Sequence, residues 1–306
     1  MVKSGVNKLS NLKTKKIKIS FGIIIAKIYI LIFIIIILFP LIWMFSISFR
    51  PAGKLYESYF YIIPKYYTLN NYMEAFKITE IKQSNVDFAN TFAPLYKMFL
   101  NSVVITVTAV TLSVLISAIA AYSFSKLKFK GRKTIFLIIL LCMMIPTQSV
   151  IIPVFLLSKN LGLLNNLLSV ILAYTAFGLP LPIFILRGFF NNIPIELSEV
   201  AKIDGASEMR ILFSIFFPIA RPAFATCIIF NSIYFWNELL FGMVLLQKKE
   251  LYTIPVALSK FVQANLYFPI NLFSALIFLT CIPIIIVYLF LQKWFIKGLT
   301  AGAIKG

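Results

Sequence analysis

Six stretches of the chain are apolar and almost free of charge, and each is long enough to cross a lipid bilayer. Within them Lys27 and Glu238 are the only charged residues, and the stretches cover residues 21–49, 98–125, 134–158, 160–186, 222–247 and 261–292. A hydrocarbon core of about 30 Å requires about 20 helical residues. The pattern therefore predicts an all-α, polytopic membrane protein with a six-helix transmembrane domain over residues 21–292.

The composition supports a membrane protein and excludes several other classes. Of the 306 residues, 60% are hydrophobic and 13% are charged, whereas soluble domains carry about 25% charged residues. The chain has no histidine, which excludes histidine-dependent catalysis and histidine metal sites. Its three cysteines, Cys142, Cys227 and Cys281, are far apart in apolar stretches, and we expect them to be small buried apolar residues. The sequence predicts no catalytic residue and no metal ligand.

The distribution of positive charge predicts which loops face the cytoplasm. The formal net charge is +19. One set of loops holds 18 Lys and Arg, namely 1–20, 125–133, 187–222 and 292–306. The alternate set has nearly the same length and holds 10, namely 50–97, 158–168 and 247–268. Cytoplasmic loops carry the excess of Lys and Arg, so we expect a cell (plasma) membrane protein with both termini in the cytoplasm.

The same topology defines the segments outside the helical domain. We expect a basic cytoplasmic N-terminus at 1–20, an extracellular loop at 50–97 and a cytoplasmic tail at 293–306. The span 21–49 is too long for the apolar core of a signal peptide and is predicted to be an uncleaved anchor. The six tyrosines at 56, 59, 61, 66, 67 and 72 of the outer loop suit contact with a solute-binding protein, or an interfacial aromatic belt.

The cytoplasmic loop 191–222 contains the most informative pattern in the chain. Pro194 suits the first position of a helix, and Glu196 places an acid in its first turn, where the helix dipole favours it. Asp204-Gly205 predicts that this short helix ends at Ile203, because glycine most readily adopts the left-handed conformation after a helix. A helix of three turns is marginal alone, so another surface is expected to pack on it.

A second helix is predicted to follow directly. Ser207 is a candidate for its start, and Pro218 and Pro222 predict a bend or a re-entry into the membrane. The residues alone leave two interpretations open, a rigid amphipathic helix–turn–helix that docks on a partner and an ordinary interfacial loop.

The loop resembles the EAA loop of permease subunits of binding-protein-dependent ABC importers. The resemblance lies in the run Glu199-Val200-Ala201-Lys202-Ile203-Asp204-Gly205-Ala206, followed by Phe217-Pro218 and Arg221-Pro222-Ala223. It is most similar to the carbohydrate-uptake branch that includes the second permease of maltose transporters. Val200 departs from the family's usual alanine and places a larger side chain on the loop, which affects the fit to a partner.

The resemblance extends over about residues 20–306. Further matches in order and spacing are Asn70-Asn71-Tyr72, Asn101-Ser102, Ile145-Pro146, Gln148, the segment 230–238 and the glycine-rich tail 298–306. The fold implied is that of a type I ABC importer permease. The function implied is translocation of a sugar, oligosaccharide or sugar-like solute by alternating access.

In that family the EAA loop forms a coupling helix that docks in a cleft of a cytoplasmic ATPase. The resemblance implies that ATPase coupling involves Glu196, Glu199, Ala201, Asp204, Gly205 and Ala206. It also implies that Gly298, Gly302 and Lys305 of the tail approach the ATPase pair, with a frayed end as the alternative. The implied partners are a second homologous permease, two ABC ATPase subunits and an extracytoplasmic solute-binding protein, and no nucleic acid.

The chain itself lacks the Gly-x-x-x-x-Gly-Lys phosphate loop of nucleotide hydrolases. We therefore expect a transport subunit that is not an enzyme and has no cofactor of its own. In the implied complex ATP and Mg²⁺ bind to the partner ATPases, and energy reaches this chain by contact.

Polar residues inside the spans are the candidates for the substrate path, because they are costly in a bilayer unless they face a cavity or each other. They are Asn101, Ser102, Gln148, Asn231, Tyr234, Trp236, Asn237 and Glu238. Aromatic and amide groups together suit a sugar. For each residue the alternative is hydrogen bonding between helices, and Glu238 is also placed well for solvation at the end of its span.

Two other functions remain open on sequence grounds. A self-sufficient secondary carrier normally has buried carboxylates for ion coupling and internal repeats, and here only Glu238 lies within a span. An intramembrane enzyme would need reactive groups that this chain does not supply in any recognisable cluster.

Overall fold

The computed structural model describes residues 21–54, 61–77, 82–83, 86–87, 92–264 and 269–303. One segment and three residues predicted above lie outside this part of the chain, namely the N-terminus 1–20, Tyr56, Tyr59 and Lys305. The statements that follow concern the described residues.

The structure is almost entirely helical. In chain order the helices are α1 (Phe21–Ser48), α2 (Asn70–Phe76), α3 (Leu95–Lys126), α4 (Arg132–Cys142), α5 (Ile151–Asn160), α6 (Leu167–Phe177), α7 (Pro180–Asn191), α8 (Glu196–Ile203), α9 (Glu208–Ile219), α10 (Arg221–Asn237), α11 (Leu240–Leu245), α12 (Ile254–Ala264) and α13 (Ile270–Ala303). Short 3-10 turns cover Ala52–Lys54, Thr147–Val150 and Lys249–Leu251. Two strands of two residues each, β1 (Lys82–Gln83) and β2 (Val86–Asp87), pair antiparallel in the outer loop.

Three helices are long and apolar enough to cross a membrane alone, and three bent pairs bring the number of candidate spans to six. The single helices are α1, α3 and α13. The helix α13 continues through Gly298 to Ala303, into the segment assigned to the tail from sequence. The predicted all-α class is confirmed, and the six predicted spans correspond to three single helices and three bent pairs.

The bent pairs differ from the uninterrupted apolar stretches of the sequence. Between α4 and the Thr147–Asn160 segment the chain turns by 96°, between α6 and α7 by 43°, and between α9 and α10 by 84°. Each break lies beside a proline, Pro146, Pro180 or Pro222, which lacks a backbone donor and disfavours helix in the residue before it. The bend predicted at Pro222 is confirmed, whereas the stretch 222–247 is divided between α10 and the separate short helix α11.

The core is built around α3. This helix packs on α6, α7 and α10, and α10 in turn packs on α13. A large apolar cluster joins α3, α6, α7, α9 and α10, and a smaller one at the outer end joins α2, α12, α13 and the start of α3. By contrast, α1 packs chiefly on α13 and leaves most of its apolar side chains exposed. Its surface is therefore available to lipid or to another membrane protein.

The cysteines differ from the prediction that all three are buried. Cys227 is buried within the α10 helix, but Cys142 and Cys281 are exposed. The apolar surroundings that indicated burial in protein are here a surface suited to the bilayer, which sequence hydropathy does not distinguish from a core.

Candidate functional site

The elbow, residues 194–210, has the helix–turn–helix form predicted from sequence. The helix α8 ends in a Schellman motif, in which the Gly205 N–H donates to the Lys202 carbonyl at 3.0 Å and the Ala206 N–H donates to the Ala201 carbonyl at 2.9 Å. Gly205 has φ +78°, a conformation that glycine adopts without the steric cost a side chain brings. The turn is thus fixed by backbone hydrogen bonds as well as by residue type.

The two helix starts in the elbow were predicted with different success. Ser207 caps α9, since its hydroxyl accepts a hydrogen bond from the Arg210 N–H at 3.4 Å. Pro194, expected at the first helical position, instead precedes the helix, which begins at Glu196. Ile195 is the N-cap residue of α8, and its carbonyl accepts from the N–H groups of Ser198 at 2.9 Å and Glu199 at 3.1 Å.

One face of α8 is left exposed by the part of the chain that the structure describes. Glu196, Glu199, Val200 and Ile203 follow helical spacing along this face, and all four are exposed. Ile203 is 85% exposed and Val200 is 58% exposed. Asp204 and Gly205 are exposed at the tip. An apolar stripe flanked by acids on a helix of eight residues is typical of a docking surface rather than of a free-standing loop.

Two of the six predicted coupling residues lie on the other side of the elbow. Ala201 and Ala206 are partly buried and pack against the protein's own large apolar cluster. Their small side chains let the elbow approach the bundle closely, so they position the docking face and do not belong to it. Ser198 is buried on the same inward face.

The end of α3 holds the elbow on both flanks. After α8, the buried Tyr122 donates its hydroxyl hydrogen to Glu208 at 2.6 Å, and Glu208 also forms an ion pair with Lys202 at 2.6 Å. Before α8, the Lys126 ammonium donates to the Ile193 carbonyl at 2.6 Å. Two of these contacts join the last turns of α3 to the residues on either side of α8, and the Lys202–Glu208 ion pair links α8 to the start of α9 within the elbow.

Further contacts strengthen the same junction. Ser125 donates to Asn191 Oδ1 at 2.8 Å, and Arg187 Nε donates to the Phe124 carbonyl at 3.4 Å. The Lys126 ammonium also lies 5.5 Å from the centre of the Phe216 ring. These residues were not predicted to be functional, because their partners are far along the chain and nothing local marks them.

The opposite end of α3 is attached to the outer segment that precedes α12. Asn101 Nδ2 donates to the carbonyls of Glu250 at 2.9 Å and Tyr252 at 3.2 Å, and Ser102 Oγ accepts from the Ile254 N–H at 2.9 Å. Both side chains are buried. Asn101 and Ser102, predicted as candidates for the substrate path, thus have hydrogen-bond partners inside the protein, as in the alternative of bonding between helices.

A cavity of about 690 Å³ opens where two helix breaks meet the middle of α10. Its walls include Cys142, Thr147, Gly178, Asn231 and Tyr234. The carbonyls released at the α6–α7 break are satisfied from neighbouring helices, with Asn231 Nδ2 donating to Gly178 and Ser117 Oγ to Leu179. Broken helices around a cavity are a common construction for a transport site in membrane proteins.

The remaining predicted path residues divide into exposed and internally bonded groups. Gln148, Tyr234 and Asn237 are exposed, and the Tyr234 hydroxyl lies 3.3 Å from that of Thr147. Asn231 also donates to Ser113 at 2.9 Å, and Trp236 Nε1 donates to the Thr280 carbonyl at 3.0 Å. Trp236 is buried, and its hydrogen bond joins α10 to α13.

Glu238 is not solvated at the end of its span. The carboxylate is buried and accepts hydrogen bonds from the Tyr174 hydroxyl at 2.7 Å and from the N–H groups of Leu240 at 2.7 Å and Phe241 at 3.1 Å. It therefore caps α11, whose N-terminal amides favour a negative charge. The hydrogen bonds compensate for the loss of water around the charge.

The structure describes the positions of Gly298 and Gly302, two of the three predicted tail residues. A Cβ at Gly298 would lie 2.8 Å from the Pro222 carbonyl oxygen and 2.8 Å from Thr226 Oγ1. Gly298 thus allows α13 to pack closely against the start of α10. Gly302 lies in the last turn of α13, and Lys305 is outside the described residues.

These features define a membrane-embedded permease, with a helical bundle, broken helices around a cavity and a projecting elbow. The chain belongs to the family described as binding-protein-dependent transport system inner membrane component, whose model matches residues 113–301. The predicted family is confirmed.

Curated relatives match along nearly their whole length. The chain is 34% identical over 272 residues to the galactooligosaccharides transport system permease protein GanQ of Bacillus subtilis (strain 168), covering 89% of this chain and 92% of that protein. It is 32% identical over 270 residues to the trehalose transport system permease protein SugB of Mycobacterium tuberculosis (strain CDC 1551 / Oshkosh), covering 88% and 93%.

A solved structure shares the fold. A chain of a bacterial ABC transporter involved in the import of the acidic polysaccharide alginate superposes with a TM-score of 0.73 at 27% identity, covering 89% of this chain and 95% of that chain. The predicted type I ABC importer permease fold is confirmed.

Proposed function

We propose that this chain is the permease subunit of an ATP-driven importer that moves a carbohydrate across the membrane by alternating access. The family supports the transport role. Relatives named for galactooligosaccharide, arabinooligosaccharide and trehalose transport support a sugar, an oligosaccharide or a sugar-like solute as the substrate.

The observation that carries the proposal is the unpartnered face of α8, attached to the inner end of α3. Its exposed acids and apolar side chains suit a cleft in a separate ATPase subunit, with Glu196, Glu199, Asp204 and Gly205 at the contact. Closure of two ATPases would then move the elbow as a rigid body. Such a body transmits movement to packed helices without unfolding them.

The proposed complex contains a second homologous permease, two ABC ATPases that bind ATP and Mg²⁺, and an extracytoplasmic solute-binding protein. In it this chain has no ATPase site of its own and keeps both termini in the cytoplasm, as the excess of Lys and Arg in the corresponding loops supports. The exposed α1 supplies a large apolar surface for the second permease or for lipid.

In the proposed transport path, substrate contacts the cavity between α4, α6 and α10. Tyr234 supplies an aromatic face and a hydroxyl, and Thr147 and Asn231 supply polar groups beside it. A sugar presents apolar C–H faces that stack on an aromatic ring and hydroxyls that exchange hydrogen bonds. Gln148 and Asn237 are exposed polar residues on the same elements.

The substitution Gly205→Trp tests the coupling role. Gly205 has φ +78° and open space around it, so tryptophan strains the turn and places bulk on the docking tip without entering the bundle. We expect sugar uptake by proteoliposomes containing the complete importer to fall at least tenfold, while the chain remains inserted.

Gly162→Trp is the matched control. Gly162 has φ +68°, is exposed and has open space around it, but it lies in the turn between α5 and α6, away from the elbow. Uptake near the wild-type rate is expected for this variant. Equal uptake by the Gly205→Trp importer and the wild type would overturn the coupling role of the elbow.

A further inference from the structure

The turn between α3 and α4 carries a dense group of positive charges. Five cations lie within eight residues, namely Lys126, Lys128, Lys130, Arg132 and Lys133, and the sequence has no Asp or Glu between Asp87 and Glu196. Any counter-charge must therefore come from a distant part of the chain or from outside it.

The contacts of these cations show that the chain supplies little compensation. Lys126 and Arg132 donate to the carbonyls of Ile193 and Leu127. Lys128, Lys130 and Lys133 are exposed. Glu196 attracts Lys126, and the Lys202–Glu208 ion pair on the elbow involves none of the three exposed lysines.

A further positive charge lies beside the turn. Arg187 of α7 stacks over the Phe136 ring, 3.9 Å from its centre, and is near enough to Arg132 for their like charges to repel each other. Repulsion between two guanidinium groups is relieved when an anion binds close by.

The turn also encloses a shallow cavity of about 470 Å³. It is lined by Lys128, Phe129, Gly131, Arg132, Lys133 and Thr134. This volume is within the range of about 300–1,000 Å³ that is usual for small-molecule sites. Gly131 makes the turn with φ +81° and leaves the wall of the cavity without a side chain.

The position of the cavity favours a lipid over a free anion. It lies at the end of the long span α3, where the chain leaves the apolar part of the bundle. Directly next to it, α4 exposes Ile135, Leu137, Ile138 and Leu141, at 45–56% exposure. A phosphate in the cavity would have room for its acyl chains along this apolar surface.

We propose that the basic cavity at 128–134 binds the phosphate headgroup of an anionic glycerophospholipid, whose acyl chains lie along α4. The lysines supply the charge, with an attraction that corresponds to about a fivefold gain in affinity for each cation near the surface. The site is separate from the elbow face and from the cavity beside Tyr234, so it does not depend on the nature of the transported solute.

The test measures lipid binding to the purified full-length chain in its importer complex by native mass spectrometry. The detergent-solubilised complex is titrated with dioleoyl-phosphatidylglycerol or with dioleoyl-phosphatidylcholine. We expect the anionic lipid to bind to the wild type and the triple variant Lys128→Ala/Lys130→Ala/Lys133→Ala to bind it about a hundredfold more weakly. Equal binding of both lipids, or undiminished binding by the triple variant, would overturn the proposal.

Two control variants separate charge at this site from total charge and from folding. Lys97→Ala/Lys159→Ala/Lys248→Ala removes the same charge elsewhere, and Lys128→Arg/Lys130→Arg/Lys133→Arg keeps the charge at the cavity. Both are expected to bind the anionic lipid as the wild type does, and loss of binding in either would contradict a charge-based site at 128–134.

A competition experiment distinguishes a lipid from other anions. Millimolar inorganic phosphate should leave the bound phosphatidylglycerol in place, because free phosphate lacks the acyl chains that contact α4. Displacement by phosphate would assign the cavity to a soluble anion. Loss of the ATPase subunits from the alanine variant, with unchanged lipid binding, would assign it to protein contact.

Discussion

At the scale of single residues, local chemistry was predictable and long-range contacts were not. The glycine turn at Gly205 and the cap at Ser207 depend on neighbours in sequence, and both are present. The hydrogen bond from Tyr122 to Glu208 joins residues 86 positions apart. Neither residue has a sequence signal that marks it, because only the packed fold brings them together.

The polarity of a residue within a span likewise does not predict its partner. The polar groups of Asn101, Ser102 and Trp236 bond to other parts of the chain, and so does that of Asn231, which lines the cavity. A polar side chain inside a membrane needs a hydrogen-bonding partner or a cavity. The amino-acid sequence does not show whether that partner belongs to another helix or to a transported substrate.

The Tyr122–Glu208 contact provides a prediction at this scale. Tyr122→Phe removes the hydroxyl that donates to the carboxylate and keeps the buried ring. A hydrogen bond to a charged group contributes about 1.5–3 kcal/mol, so the elbow should be held less firmly. We expect sugar uptake per ATP hydrolysed to fall severalfold in proteoliposomes, with ATP hydrolysis retained.

Tyr96→Phe is the control, since Tyr96 is 69% exposed at the other end of α3. Its uptake per ATP should equal that of the wild type. An unchanged ratio for Tyr122→Phe would show that this contact does not take part in transmission.

At the scale of elements, the hydropathy pattern located the spans but did not show their shape. The apolar stretches 134–158 and 160–186 are bent pairs of short helices. Pro146 and the Gly178–Pro180 segment mark the breaks, but a proline within a membrane helix is also compatible with a mild kink. The direction and size of each bend depend on packing against α3 and α10.

The contact between α13 and α10 gives a prediction for these elements. Gly298→Val places a side chain against the Pro222 carbonyl and Thr226, which must separate the two helices. Overpacking typically costs about 1–3 kcal/mol. We expect a lower thermal unfolding midpoint of the purified chain in a Cys142→Ala/Cys281→Ala background, measured by a thiol-reactive fluorescence assay that then reports exposure of the buried Cys227.

Gly188→Val serves as the comparison, because no atom lies within 4 Å of a Cβ at this exposed helical position. Its midpoint should change less than that of Gly298→Val. Equal unfolding midpoints for the two variants would show that Gly298 is not needed for packing of α13 on α10. The predicted contact with the ATPase pair would then be its remaining function.

At the scale of the whole molecule, α3 connects the two ends of the bundle. Its 32 residues span about 48 Å at about 1.5 Å per residue. One end is bonded to residues on both sides of α8, and the opposite end holds the segment before α12 through Asn101 and Ser102. A displacement at the elbow therefore has a continuous helical path to the opposite end of the bundle.

We propose that a separate ATPase subunit binds the exposed face of α8, and cross-linking tests this contact directly. A photoreactive amino acid replaces Ile203, which is 85% exposed, or Ile63 of the outer loop, which is 84% exposed. The assembled importer is irradiated and the products are identified by mass spectrometry. We predict a cross-link from position 203 to the ATPase subunit and none from position 63. An intact complex in which position 203 forms no cross-link to the ATPase would contradict the account.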